Sequence, residues 1–232
     1  MSEVWAVVPA AGIGSRMAAE LPKQYLPLAG TTVLQQTLAR LLDWQGCQAI
    51  VVALHPQDDY FEARLDPHAG VETVIGGAER CHSVLAGLDH LAGRADDQDW
   101  VLVHDAARPC ITSVLLNSLM EALATDPVGG LLALPVADTV KQAGPDQRVA
   151  RTLPREELWL AQTPQVFRFG LLREALGNAL SAGVLVTDEA AAMERAGHSP
   201  KLVPGDVANL KITVPADLAL AEARLQQEAG NP

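Results

Sequence analysis

The chain has 232 residues, of which 49% are hydrophobic and 19% charged. It therefore has apolar material for a substantial core and is not an intrinsically disordered sequence; its length suits one large or two small domains. Seventeen Lys and Arg face 28 Asp and Glu, a formal net charge of −11, which excludes a general binder of nucleic acid or of anionic membrane surfaces. An anionic small ligand would have to be met by a few cations gathered in one place. Cys47, Cys81 and Cys110 share no CxxC spacing, so neither a disulfide framework nor a zinc cluster is expected, and this usage suits a reducing cytoplasm. No apolar run approaches the ~20 residues of a membrane helix, and no basic segment precedes a signal-type apolar stretch.

In chain order, Trp5–Pro9 reads as a buried strand. Thr31 and Thr32 are candidate caps for a helix over Val33–Asp43, whose Val33, Leu34, Leu38, Leu41 and Leu42 share one face. Continuous apolar strands are expected at Ala49–Leu54, Val71–Ile75, Trp100–His104 and Gly130–Leu134, with a helix at Ser83–Leu91 after the Gly76-Gly77 turn. Strands that are apolar throughout and alternate with helices imply a mostly parallel sheet covered on both faces. Residues 136–166 break this rhythm. They are polar and turn-rich, with Gly144-Pro145-Asp146 between flanks 138–142 and 148–153 that suit a hairpin. So long an interruption is usually a functional or interaction element. Helices are expected again at 171–181 and 188–196, strands near Leu202-Val203 and at Leu210–Thr213, and a closing helix over Ala216–Gln227. With no linker or repeat, residues 1–232 read as a single domain.

Parallel sheets bind ligands beyond the carboxyl ends of their strands, which directs attention to Pro9–Arg16, Gly76–Ser83 and Asp105–Arg108. The first of these reads Pro9-Ala10-Ala11-Gly12-Ile13-Gly14-Ser15-Arg16. Gly12 and Gly14 allow positive φ and close approach of a ligand, and successive N–H groups can cradle an anion. The loop lacks the lysine of a Walker A motif, and Met17 stands where a dinucleotide fingerprint needs its third glycine. By itself it is an ordinary tight turn. Arg16, and Lys23 within Leu21-Pro22-Lys23-Gln24, add two cations that bracket it, as a polyphosphate pocket requires.

Pro-Ala-Ala-Gly-x-Gly-x-Arg followed by Pro-Lys-Gln resembles the signature of the cytidylyltransferases that act on 2-C-methyl-D-erythritol 4-phosphate in the non-mevalonate isoprenoid pathway. Further blocks match in order: Gly76-Gly77-Ala78-Glu79-Arg80 with Ser83, His104–Pro109, Asp138–Lys141, Arg155, Gln162–Gln165, Thr187–Glu189 and Gly205–Thr213. The resemblance implies a Rossmann-like, three-layer α/β sandwich of nucleotidyltransferase type with a protruding β-hairpin arm, over about 136–166, that joins a homodimer. It implies that the substrate phosphate attacks the α-phosphate of CTP and expels pyrophosphate. On that basis Arg16 and Lys23 serve the CTP phosphates, and Arg155 and Lys211 hold the incoming phosphate. Pro9, Ala10, Ala11, Gly12, Gly14, Gly77, Ser83 and Ala106 contact the nucleotide. Thr139, Arg108, Thr163 and Thr187 contact the second substrate, with Thr139 and Arg155 reaching the neighbour's pocket. Asp105 binds Mg²⁺.

Ala208 stands before Asn209 where some members of that family carry an acid, and on a strand Asp206 would share its face. His104 reads as a satisfied core histidine, and Cys81 and Cys110 as packing residues. Two other functions compete: transfer of CMP to ribitol 5-phosphate, and a nucleotide-binding module without catalysis. The complete set Arg16, Lys23, Asp105, Arg155 and Lys211 argues against the latter.

Overall fold

Strands with no polar alternation have two faces to bury, and this requirement organises the molecule. The computed structural model describes residues 2–12, 21–65 and 70–229. In chain order these form β1 (Val4–Pro9), a 3₁₀ turn (Lys23–Tyr25), β2 (Pro27–Leu28), β3 (Thr31–Thr32), α1 (Val33–Asp43), β4 (Ile50–Leu54), α2 (Phe61–Arg64), β5 (Val71–Ile75) and α3 (Arg80–Leu91). There follow β6 (Trp100–Val103), α4 (Ser113–Leu123), β7 (Gly129–Pro135), β8 (Val140–Ala143), β9 (Val149–Leu153), β10 (Trp159–Arg168), α5 (Phe169–Ser181), α6 (Glu189–Arg195), β11 (Lys201–Pro204) and α7 (Pro215–Ala229). The main sheet has the order β11-β7-β10-β6-β1-β4-β5. Its pairs are parallel except those of β10, which runs antiparallel to both β6 and β7.

The twofold alternation of strand side chains divides the core into two layers. Ala6, Val8, Ile50, Val52 and Leu102 pack with Leu34, Leu38 and Leu41 of α1 and Leu116 and Leu119 of α4. On the other face, Val7, Val51, Val101, Val103 and Phe167 meet Val84 and Leu88 of α3 and Leu172 and Leu176 of α5. Each such fully buried aliphatic side chain contributes roughly 1.5–3 kcal/mol relative to exposure. This is the three-layer α/β sandwich expected from the sequence. Thr32 caps α1 by accepting a hydrogen bond from the Gln35 amide at 3.2 Å. Among the described residues no helix is long and apolar enough to cross a membrane.

Three expectations need correction, and one helix lies outside the predicted elements. α3 starts at Arg80, three residues before Ser83, because Glu79 takes the extended N-cap conformation. Residues 210–213 are not a strand: the Ile212 amide bonds the Ala107 carbonyl, and Asp217 accepts hydrogen bonds from the Thr213 and Val214 amides, leading the chain into α7. Residues 159–166 belong to β10 of the main sheet, where Val166 is fully buried, so the free hairpin is confined to β8 and β9. Helix α4 went unforeseen, although Thr112 followed by Leu116, Leu119 and Leu123 has the cap and spacing of a helix.

Helix α3 lies close on β1 because residue 87 is glycine: a Cβ there would stand 2.6 Å from Val7 Cγ1. Gly87→Ala is therefore expected to cost about 1–3 kcal/mol through overpacking. Chemical denaturation should show a lower midpoint at unchanged slope; an unchanged midpoint would mean that α3 is free to move away from the sheet.

Candidate active site

The carboxyl ends of β1, β5 and β6 open into a cleft of about 240 Å³. Of the residues singled out in the sequence, Pro9, Ala10, Ala11, Gly12, Lys23, Ser83, Asp105, Ala106 and Lys211 line it, and Arg80 joins them. Gly14 and Arg16 lie outside the described residues. Gly12 does not use the left-handed backbone open to glycine, and a Cβ there would meet no atom within 4 Å.

Two buried anchors hold Lys23. The Gln24 amide nitrogen donates to the Ala10 carbonyl at 2.7 Å, and the fully buried Tyr25 hydroxyl donates to Asp58 Oδ2 at 2.7 Å. Burial, reinforced by the Asp58 carboxylate, pushes the Tyr25 phenol well above its ordinary range, so it remains a donor. Lys23 Nζ donates to the Ile212 carbonyl at 3.2 Å, placing the amine beside the loop that carries Lys211. Across the cleft, Ser83 in the first turn of α3 accepts a hydrogen bond from the Gly77 amide at 3.2 Å. Gly76 permits that closeness, since a Cβ would lie 2.7 Å from Ser83 Oγ and 2.9 Å from Ala11 Cβ.

Asp105 is the electrostatic centre. Its carboxylate is buried, and three cations surround it: Arg80 Nε at 3.1 Å on Oδ1, and Lys211 Nζ at 2.8 Å and Arg108 Nε at 3.5 Å on Oδ2. Burial alone would raise this carboxyl, but Arg80 and then Lys211 hold it well below the usual carboxylate range. It is ionised at any physiological pH. Arg108 Nη1 donates to the Asn209 carbonyl at 2.7 Å, and the fully buried Asn209 side chain donates to the Thr163 carbonyl at 2.8 Å. Gln162 Nε2 bonds the Asp206 carbonyl at 2.9 Å. These bonds suspend the loop bearing Lys211 from β10, whose register shifts between Ala161 and Gln165. Such an irregularity re-aims side chains out of the ladder.

The Thr163 hydroxyl accepts the Asp105 amide proton at 3.0 Å and lies 3.1 Å from His104 Nδ1, while His104 Nε2 lies 3.1 Å from the Arg108 carbonyl. A carbonyl can only accept, so Nε2 carries the imidazole proton and Nδ1 accepts from Thr163. His104 is neutral, fully buried and satisfied, as expected. Thr163 and Arg108 thus lie beneath the cleft floor. Thr139, Arg155 and Thr187 are exposed and do not line the cleft; the Arg155 guanidinium donates to the Ala137 carbonyl on the arm.

Arg80, Glu189, Asn209 and Gln162 are structurally central residues that motif spacing left without a role. Each stands inside a matching block, yet its burial depends on the packing of distant elements. Among the described residues no group of three or more His, Cys, Asp or Glu is placed to hold a metal.

A mostly parallel α/β sheet whose carboxyl edge gathers cations around one buried carboxylate suits a nucleotidyltransferase, and the chain is one. The profile of the 2-C-methyl-D-erythritol 4-phosphate cytidylyltransferase family matches residues 4–227, and the chain belongs to that family. A Pseudomonas paraeruginosa protein of that name is 54% identical over 219 residues, 92% of each chain. The Francisella tularensis enzyme of the same name superposes with a TM-score of 0.85 at 36% identity, covering 96% of this chain and all of that one. The Thermus thermophilus enzyme gives 0.80 at 35%, covering 97% and 99%.

Burial pushes the His104 imidazole down to about 4, with the charges of Arg108 and Arg80 adding to it and Asp105 opposing. Between that value and the ordinary ~6.5, the unfolded chain binds more protons than the folded one. Stability is then complete above about pH 6.5 and falls as pH is lowered toward 4, by at most about 3 kcal/mol. Urea unfolding of the ligand-free protein across this window should show that slope, and the His104→Gln variant should show a shallower one. Equal slopes would overturn the assignment.

Proposed function

We propose that the chain transfers CMP from CTP to 2-C-methyl-D-erythritol 4-phosphate, giving 4-diphosphocytidyl-2-C-methyl-D-erythritol and pyrophosphate in isoprenoid precursor synthesis. Supporting this are the family membership and, above all, the buried Asp105 ringed by Arg80, Arg108 and Lys211 at the mouth of the sheet. Both reactants are anions. At ~4 Å each pair of unit charges repels by about 4 kcal/mol at an effective dielectric of 20. The attacking phosphate is already ionised, so charge neutralisation and in-line positioning matter more than a general base.

Lys23 and Arg16 bind the CTP phosphates and stabilise the charge that builds on departing pyrophosphate. The backbone at Pro9, Ala10, Ala11, Gly12 and Gly14 cradles the triphosphate, while Gly77, Ser83 and Ala106 contact the base and sugar. Lys211 and Arg155 hold the incoming phosphate, with Thr139 and Thr187 completing that side and Arg108 and Thr163 supporting it from beneath the cleft floor. The donor set fits Mg²⁺ at a one-carboxylate site: Asp105 offers hard carboxylate oxygens at the cleft, and phosphate and water oxygens suit the remaining positions. When bound, the ion neutralises triphosphate charge. We place the enzyme in the cytoplasm, in keeping with its free cysteines.

The chain is a single domain whose arm, the β8–β9 hairpin with its flanks, clasps a second copy in a homodimer. Support comes from β8 and β9, which form a two-stranded sheet of their own, and from the exposure of Val149 and Leu160 at 63% and 59%. A lone hairpin is marginal in water without something to pack on. Thr139 and Arg155 then complete the partner's cleft.

Pyrophosphate release from CTP, with each polyol phosphate offered separately, tests the activity. Release with the erythritol phosphate is expected, release with ribitol 5-phosphate alone would reassign the substrate, and release with neither would leave a binding module. Lys23→Met should lower kcat by roughly 100-fold or more with a far smaller effect on KM; turnover within a few-fold of the parent would remove Lys23 from its role.

The shared cleft predicts complementation. Lys23→Met and Arg155→Met subunits, each inactive alone, should regain about a quarter of parental activity after mixing and exchange, because half of the dimers then carry one intact site. No recovery in exchanged heterodimers would place Arg155 in its own subunit's cleft, and parental activity of Arg155→Met alone would place it outside any site.

A further inference from the structure

Arg80 joins two carboxylates from different parts of the chain. Its Nε bonds Asp105 Oδ1 at 3.1 Å, while Nη1 and Nη2 bond Glu189 Oε1 and Oε2 at 2.5 and 3.1 Å. Glu189 is 1% exposed, and Arg80 retains 25% side-chain exposure toward the cleft. Full burial pushes the Glu189 carboxyl up and the guanidinium opposes it. Arg80 itself is kept charged, against its own burial, by Glu189 and Asp105. The two-pronged contact is that of an ion pair.

Glu189 is itself immobilised. It is the first residue of α6, whose N-cap Asp188 accepts the Ala191 amide at 2.9 Å. The nearly inaccessible Gln165 of β10 accepts the Ala190 amide at 2.8 Å and donates to Asp188 Oδ2 at 3.0 Å. A continuous polar path therefore runs from β10 through the start of α6 to the first residue of α3 and on to Asp105. Both terminal nitrogens of Arg80 are engaged by Glu189, which leaves the guanidinium poorly disposed to clamp a phosphate as well. A lysine has no planar fork and could not serve both acids in this way.

We infer that Arg80 and Glu189 are positioning residues: Glu189 orients the Arg80 guanidinium, and Arg80 fixes the Asp105 carboxylate at the cleft mouth, tying the Thr187–Glu189 turn to the nucleotide site. This rests on the cytidylyltransferase reading. Asp105 in turn orients Lys211, so a rotated Asp105 would misplace charge at the reacting phosphates while leaving the base and sugar contacts at Gly77 and Ser83 intact.

A double-mutant cycle separates positioning from simple stabilisation. Arg80→Met, Glu189→Met and the double variant should each lower kcat by about 10–100-fold and to similar extents, because Glu189 acts through Arg80. KM for CTP should move by less than about threefold. The melting temperature should fall in Glu189→Met, where Arg80 loses its buried partner, and recover in the double variant, where no unpaired charge remains. The positioning role requires activity to stay low in the double variant despite recovered stability. Activity that returns together with stability, or parental kcat in Glu189→Met, would overturn it. If the parent protein releases no pyrophosphate with either polyol phosphate, the cytidylyl-transfer reading fails by itself. A crystal structure of the double variant then decides: a reoriented Asp105 carboxylate upholds the inference, and an unmoved one refutes it.

Discussion

An ionised carboxylate withdrawn from water is stable only if cations and hydrogen-bond donors replace its hydration. Asp105 imposes that condition on this molecule, and three separate pieces of chain answer it. The start of α3 brings Arg80, the turn after β6 brings Arg108, and the loop after β11 brings Lys211. None of the three elements could shift far without leaving charge unpaired in a low-dielectric place. A chain carrying a net charge of −11 thereby holds several of its 17 basic residues at one edge of one sheet. The fold needs those cations to neutralise Asp105, and two of them, Arg80 and Lys211, also line the space where anionic ligands would sit.

The antiparallel strand β10 makes this arrangement possible. Inserted between β6 and β7, it runs back beneath the carboxyl edge and carries Gln162, Thr163 and Gln165 past the floor of the cleft. Thr163 takes the Asp105 amide and meets His104, Gln162 reaches the loop that bears Lys211, and Gln165 docks the start of α6. A fully parallel sheet would have placed that strand's start at the opposite edge. Gln162, Thr163 and Gln165 are buried and each is hydrogen-bonded, with only the Gln162 Oε1 left without a partner, and such networks fix one arrangement where apolar packing alone would tolerate several.

Much of the fold was legible because strand and helix signals are local. Apolar runs located β1, β4, β5, β6 and β7 within a residue or two, and Thr32 announced α1. The mismatch at 210–213 has the same root. Leu210, Ile212 and Val214 alternate like a strand, yet the backbone there bonds to Ala107 and to the side chain of Asp217. The strand β10 was hidden because its first three residues, Trp159–Ala161, are exposed, and Gln162, Thr163 and Pro164 interrupt its ladder. For the cleft, motif spacing found the residues at strand ends, where chain order and position coincide. It assigned no role to Arg80 and Glu189, whose meeting depends on a contact across 109 positions, and no local pattern encodes that.

Asp206 marks the boundary of what the cleft can recruit. Its Oδ1 accepts the Ala208 amide at 2.8 Å and its carbonyl accepts Gln162, so it closes a turn on the surface and does not line the cleft. Ala208 has no charge to contribute, which leaves Asp105 facing Lys23, Arg80 and Lys211, with Glu79 at the rim. Glu189 already neutralises Arg80 from behind. Lys211 is paired to Asp105, whereas the Lys23 amine bonds the Ile212 carbonyl, and its flexible stem and compact charge suit it to meet a ligand. The arginines, bound by fork geometry, keep the frame in place.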